Sequence, residues 1–233
     1  MHAKSISYMF RDRRDAGIRL AAQLSEYPGD PNVIVLGLPR GGVPVAYEVA
    51  RALQAPLDVF VVRKLGVPGH RELAMGAIAS GGVRVLNQEV VDMLHISGTV
   101  IDLVAQAEQQ ELERQERAYR GDRPFPQLAG RTLIVVDDGL ATGSTMRAAV
   151  RALRPAKPGQ IVVAAPVAAR ETVRSLRREA DDIVCCQMPE EFYAVSAWYE
   201  EFEQTTDEEV RWLLDAAAAA RSSGQTKEVH EPA

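Results

Sequence analysis

Leu133-Ile134-Val135-Val136-Asp137-Asp138-Gly139-Leu140-Ala141-Thr142-Gly143-Ser144-Thr145-Met146-Arg147 is the stretch on which the reading of this chain turns. An apolar run stops at two adjacent carboxylates, passes through a loop of small and hydroxyl residues, and resumes with helical spacing. That is a buried strand, a polar turn and a helix start. Such a turn presents backbone N–H groups and hydroxyls at the positive end of a helix dipole, which suits a phosphate. The acids precede the phosphate site, so one ligand could offer hydroxyls to Asp137 and Asp138 and a phosphate to the loop. A sugar phosphate has that shape.

Moving outward, residues 32–38 form a short continuous apolar run, the pattern of a strand buried on both faces. Pro39-Arg40-Gly41-Gly42-Val43-Pro44 follows, and Ala46, Val49, Ala50 and Leu53 make an apolar helical stripe behind it. This is a second unit of strand, glycine loop and helix. Residues 57–62 read as a further strand ending at Arg63-Lys64. Residues 73–79 and 83–86 read as a hairpin around Ser80-Gly81-Gly82. Residues 161–165 and 182–186 read as two more strands, separated by a helix carrying Val173 and Leu176. Alternation of this kind implies a mainly parallel sheet flanked by helices, with ligands beyond the carboxyl ends of its strands. Both Arg40-Gly41-Gly42 and Asp137-Asp138 sit at such ends.

The remaining segments surround that core. Residues 10–27 read as an amphipathic helix, and residues 97–120 as a long helix capped by Ser97 and laced with charge pairs. Residues 189–202 hold Phe192, Tyr193, Trp198, Tyr199 and Phe202, a group suited to packing in a lid or subunit contact ahead of stacking on a base. Thr206 and Glu209 make a capping box for a last helix. The domain is expected to run from 1 to 215, with a hood from 1–30, 87–126 and 188–215 and a flexible tail at 216–233.

Composition bounds the function. With 233 residues, 46% hydrophobic and 25% charged, the chain can bury one α/β core. A net charge of −5 argues against nucleic acid or an anionic membrane as main partner. No run reaches the ~20 apolar residues of a membrane span and no leader is evident, so a cytoplasmic protein is expected. Cys185 and Cys186 are adjacent in an apolar run and read as core residues of a reducing compartment rather than a redox pair. His2, His70, His95 and His230 share no metal-ligand spacing.

At this point the residues carry a family resemblance. Val135 to Thr145 resembles the phosphoribosyl pyrophosphate signature of type I phosphoribosyltransferases, and Leu38 to Val45 resembles their pyrophosphate loop. The wider pattern, including Val62-Arg63-Lys64-Leu65-Gly66 and Glu72-Leu73-Ala74-Met75-Gly76-Ala77, is similar to a bacterial group with an unassigned acceptor. The resemblance implies that Asp137 and Asp138 hold the ribose hydroxyls, with Mg2+ carried on the substrate. Ala141, Thr142, Gly143, Ser144 and Thr145 would hold the 5′-phosphate. Arg40, Gly41 and Gly42 would meet the pyrophosphate, next to a non-proline cis peptide common in the family, and Arg63, Lys64 or both would neutralise it as it departs. Asp137, Asp138, Arg40 and Lys64 make the catalytic set on this reading.

The resemblance also implies a transferase of nucleotide metabolism, acting on a small nitrogenous acceptor and assembling as a homo-oligomer, a dimer foremost. Ala141 stands where members acting on 6-oxopurines carry a carboxylate, which argues against guanine or hypoxanthine. The stretch between Lys64 and Met75, with His70, Arg71 and Glu72, is short for the mobile catalytic loop of many relatives. Two other classes stay open: a non-catalytic sensor of phosphoribosyl pyrophosphate, and a phosphatase using Asp137 as nucleophile, whose chemistry the following residues match poorly.

Overall fold

The computed structural model describes residues 9–225, without the side chains of 71, 72 and 222–225. Its centre is a five-stranded parallel sheet in the order β2-β1-β6-β7-β8, formed by β1 (Val33–Gly37), β2 (Leu57–Val59), β6 (Thr132–Val136), β7 (Gln160–Val167) and β8 (Asp182–Gln187). The apolar runs make these strands because both of their faces are covered. On one face Leu133, Val135, Ile161 and Val163 pack against Met146, Ala149 and Val150 of α5 (Ser144–Leu153) and Val173 and Leu176 of α6 (Arg170–Leu176). On the other, Ile134, Val136, Val162 and Ala164 pack against Leu20 and Leu24 of the α1 region (Arg13–Gln23) and Val45, Val49 and Leu53 of α2 (Gly42–Leu53). Burying one such side chain stabilises the fold by about 1.5–3 kcal/mol.

The register of the central pair positions the site. Strand β1 runs parallel to β6 with Gly37 opposite Val136, so the Leu38–Gly41 and Asp137–Asp138 turns leave the sheet at the same level. From here the chain goes to β2 on one side and to β7 on the other, which makes this a topological switch point, where open α/β sheets bind ligands.

The expected strand over residues 57–62 is divided. Only Leu57–Val59 joins the parallel sheet. Val62–Val67 forms β3 of a separate antiparallel sheet with β4 (His70–Ala79) and β5 (Val83–Leu86). Arg63 and Lys64 therefore lie within a hairpin strand rather than at the end of a central one. A short helix α3 (Gln88–Met93) follows, then α4 (Gly98–Arg120), capped as expected by the Ser97 hydroxyl accepting from the Val100 N–H.

Helix α4 and α7 (Asp207–Gln225) pack on the hairpin sheet through Ile101, Leu112, Tyr119, Val210 and Leu213 against Val61, Leu65 and Met75. Helix α1, assigned to the hood from sequence, instead covers the main sheet beside α2. The alanine run 216–220, placed in a flexible tail, is helical within α7, in keeping with alanine's high helix propensity. The rest of that expected tail, 226–233, lies outside the described residues. Among the described residues no helix is long and apolar enough to cross a membrane.

Candidate functional site

The acid pair sits where β6 ends and the phosphate-type turn begins. Asp137 accepts through Oδ1 from the Asp138 N–H at 2.9 Å, and the Asp138 side chain is only 14% exposed. Burial pushes the Asp137 carboxyl well above the ordinary carboxylate range, and the adjacent Asp138 charge adds to the rise. Burial raises Asp138 as well, opposed by the charge and hydrogen bond of Arg13.

Arg13 is the residue that sequence reasoning missed. From the first turn of α1 its Nε donates to Asp138 Oδ2 at 2.8 Å, and both side chains are almost buried, at 12% and 14% exposed. Its guanidinium also donates to the Glu203 carbonyl and lies 3.9 Å from the centre of the Phe202 ring. Nothing local marks it, because Arg11, Arg13 and Arg14 are equivalent until α1 is docked.

The turn itself is anchored from below. Leu140 bridges to Ala168, with its N–H on the Val167 carbonyl and its own carbonyl accepting from Ala169. Thr172 Oγ1 donates to the Ala141 carbonyl. Gly143 has a φ of 66°, a conformation in which a side chain is strained, and helix α5 starts at Ser144. The first-turn N–H groups of α5 and the hydroxyls of Thr142, Ser144 and Thr145 thus surround the start of a helix dipole. The Thr142 Oγ1 accepts from the Ser144 N–H at 3.4 Å.

The glycine loop reaches this turn from the neighbouring strand end. A Cβ on Gly41 would fall on the Asp138 carboxylate. A Cβ on Gly42 would lie 2.6 Å from the Val136 carbonyl oxygen and 2.9 Å from the Asp137 Cα. Only glycine allows the two loops to approach so closely. The cis peptide bond is Pro39–Arg40, one bond before Gly41.

Beyond this junction lies a cavity of about 360 Å³ lined by Leu38, Pro39, Arg40, Arg63, Arg114 and Thr145 among others. The structure thus brings Arg40 and Arg63 to one cavity, which Thr145 joins to the phosphate-type turn. Lys64 does not line it. Successive side chains of a strand point to opposite faces, and Arg63, paired with Glu108 of α4 at 2.6 Å, occupies the cavity face. The expected catalytic role of Lys64 has no support from this arrangement.

The aromatic segment packs within the chain. Phe192, Trp198, Tyr199 and Phe202 gather on Phe10, Ala16 and Val167, and Phe10 bridges to Tyr199. Tyr193 is the exception, 84% exposed. The Tyr199 hydroxyl donates to the Asp138 carbonyl, so this packing helps fix the acid pair. Replacing Tyr199 with phenylalanine is expected to lower stability by about 1 kcal/mol, read as a lower urea midpoint with an unchanged slope. An unchanged midpoint would mean that the bond adds nothing.

Cys185 and Cys186 are free, and their side chains join the clusters on opposite faces of the sheet. Burial pushes their thiols up to about 12 and about 11.

Comparison with known proteins gives the family. Residues 11–201 match the model of the phosphoribosyl transferase domain. Two Mycobacterium tuberculosis proteins, both provisionally named phosphoribosyl transferases, are 47% identical over 209 residues, covering 90% of this chain. The chain spans 47% of the length of each, about half. The crystal structure of TT1426 from Thermus thermophilus superposes with a TM-score of 0.80 at 42% identity, covering 88% of this chain and 97% of its own. A domain match over most of the sequence, and a crystallographic relative matched over nearly its whole length, place this chain in the phosphoribosyl transferase family.

Proposed function

We propose that this protein transfers the 5-phosphoribosyl group from phosphoribosyl pyrophosphate to a small nitrogenous acceptor, releasing pyrophosphate. The observation that carries the reading is the seating of Gly41 and Gly42 on the Asp137–Asp138 turn. It joins a diol-sized acid pair, a phosphate-type helix start and an arginine-lined cavity in one crevice.

On this reading the Ala141–Thr145 turn holds the 5′-phosphate, Asp137 and Asp138 accept from the ribose hydroxyls, and Arg40 with Arg63 faces the pyrophosphate. The acceptor nitrogen attacks C1 as the bond to pyrophosphate oxygen breaks, through a state with positive charge on the ring and negative charge on the leaving group. Fixed guanidiniums and carboxylates placed at those charges supply orientation and electrostatic stabilisation. No protein nucleophile is required, and Lys64 has no part in this scheme.

Magnesium suits the donor set. Among the described residues no group of three or more His, Cys, Asp or Glu side chains could cage a metal, whereas one or two carboxylates shared with substrate oxygens is a setting magnesium accepts. Bound there, it would neutralise charge on the diol and the pyrophosphate. Asp137 and Asp138 are the residues that would meet it.

A sensor that binds the donor without turnover is the second reading. It is favoured by the ties already holding the polar groups: Asp138 to Arg13 at 2.8 Å and Arg40 to Asp207 at 3.8 Å. Calorimetry with phosphoribosyl pyrophosphate and magnesium tests the shared premise. Binding in the micromolar range, about −8 kcal/mol, is expected, and no binding at millimolar donor would sink both readings. Pyrophosphate release across a panel of nucleobases and related heterocycles then separates enzyme from sensor.

A further inference from the structure

The β3–β4 connection is a two-residue turn, Pro68-Gly69, and part of the cavity's lining comes from α4. Arg114 and Gln115 of that helix line the same cavity as Arg40 and Arg63. We propose that Arg114 is a third diphosphate-binding residue, so that the pyrophosphate group is held among three guanidiniums contributed by the β1–α2 loop, β3 and α4. The proposal rests on the phosphoribosyl reading and extends it to a residue outside the signature motifs.

Charge and geometry both support it. Three arginines and one carboxylate, Asp207, line the chamber, while Glu108 and Glu111 hold Arg63 and Arg114 from outside its lining. Its volume, about 360 Å³, falls at the small end of ligand pockets. Each guanidinium is held by an acid of a covering helix: Arg63 by Glu108, Arg114 by Glu111 in a two-bond fork at 2.8 Å each, and Arg40 by Asp207.

In the first two pairs the carboxylate takes the Nε and Nη2 edge, and neither pair uses Nη1. Five donors on a planar fork can serve a carboxylate and a phosphate together. The Arg114–Glu111 pair is also solvent-exposed, with Arg114 at 58%, and such pairs contribute little, so an entering polyanion can rearrange it easily. Glu108, Glu111 and Gln115 are three and four residues apart, which puts them on one side of α4.

The test is calorimetry of the full chain with inorganic pyrophosphate, using wild type, Arg114→Gln and Arg114→Lys, with thermal midpoints measured alongside. Arg114→Gln is expected to weaken pyrophosphate binding at least tenfold with an unchanged midpoint. Arg114→Lys should recover only part, because an ammonium lacks the fork. Affinity within twofold of wild type in Arg114→Gln would overturn the proposal, as would a wild type that does not bind pyrophosphate. The two ideas fail separately. Donor binding that depends on Asp137 and Asp138, with pyrophosphate indifferent to Arg114, removes Arg114 alone. Pyrophosphate binding that depends on Arg114, in a protein that ignores the whole donor, supports the chamber and removes the phosphoribosyl reading.

Discussion

Asp137→Asn combined with Asp138→Asn is expected to weaken binding of phosphoribosyl pyrophosphate by about a hundredfold or more. Asparagine keeps the shape of each side chain but exchanges two anionic acceptors for neutral amides. Each charge-assisted hydrogen bond lost is worth about 1.5–3 kcal/mol, so two together reach that range. Unchanged affinity in the double variant would remove the acid pair from the site.

The same substitutions carry a stability signature with a definite sign. Burial raises the folded-state pKa of Asp137 above its unfolded value, so the folded state holds the proton more tightly. The resulting stability is fully present below the unfolded pKa, near 4, and is lost as pH rises through the raised folded value. Wild-type stability should therefore decline with pH above about 4 from this group, and Asp137→Asn should flatten that decline. The single variant is the cleaner probe, because Asp138→Asn leaves the Arg13 guanidinium without its carboxylate in a nearly buried place. Urea unfolding of both proteins between pH 4 and 8 checks this, and parallel pH curves would contradict it.

The parts of the molecule legible in the sequence are those whose signals are local. The strands before Leu38 and Asp137 are continuous apolar runs, and the turn after Asp138 combines glycine, hydroxyls and a helix start within seven residues. Ser97 and Thr206 announce helices in the same way, and both act as caps.

What was not legible depends on partners far along the chain. The run 57–62 contains no breaker, yet it divides at Phe60 because Val62 finds Ala79 as its antiparallel neighbour. That division sets which of Arg63 and Lys64 faces the cavity, a parity that residue type cannot indicate. Arg13 and Arg114 become site residues only when α1 and α4 dock, 125 residues from Asp138 in the first case. The alanine run 216–220 is helical within α7, the state that alanine's own propensity favours.

Gly41→Ala is expected to weaken donor binding by about tenfold to a hundredfold, although a methyl group is the whole change. Backbone conformation is not the reason. Gly41 has a φ of −60° and a ψ of −31°, which any residue adopts. Space is the reason: the new Cβ would overlap the Asp138 carboxylate and lie 3.3 Å from Arg13 Nε. Asp138 cannot swing aside freely, because Arg13 holds its carboxylate and Tyr199 its carbonyl. Either the Arg13 pair breaks or the glycine loop lifts, and both separate the acid pair from the arginine cavity. Overpacking of this kind costs about 1–3 kcal/mol of stability. A double-mutant cycle identifies the obstacle. In an Asp138→Ala background the carboxylate is gone, so Gly41→Ala should cost at least about 1 kcal/mol less than in wild type. Equal costs in the two backgrounds would mean that the glycine serves the loop itself rather than its approach to Asp138, and the shared crevice would lose its main structural argument.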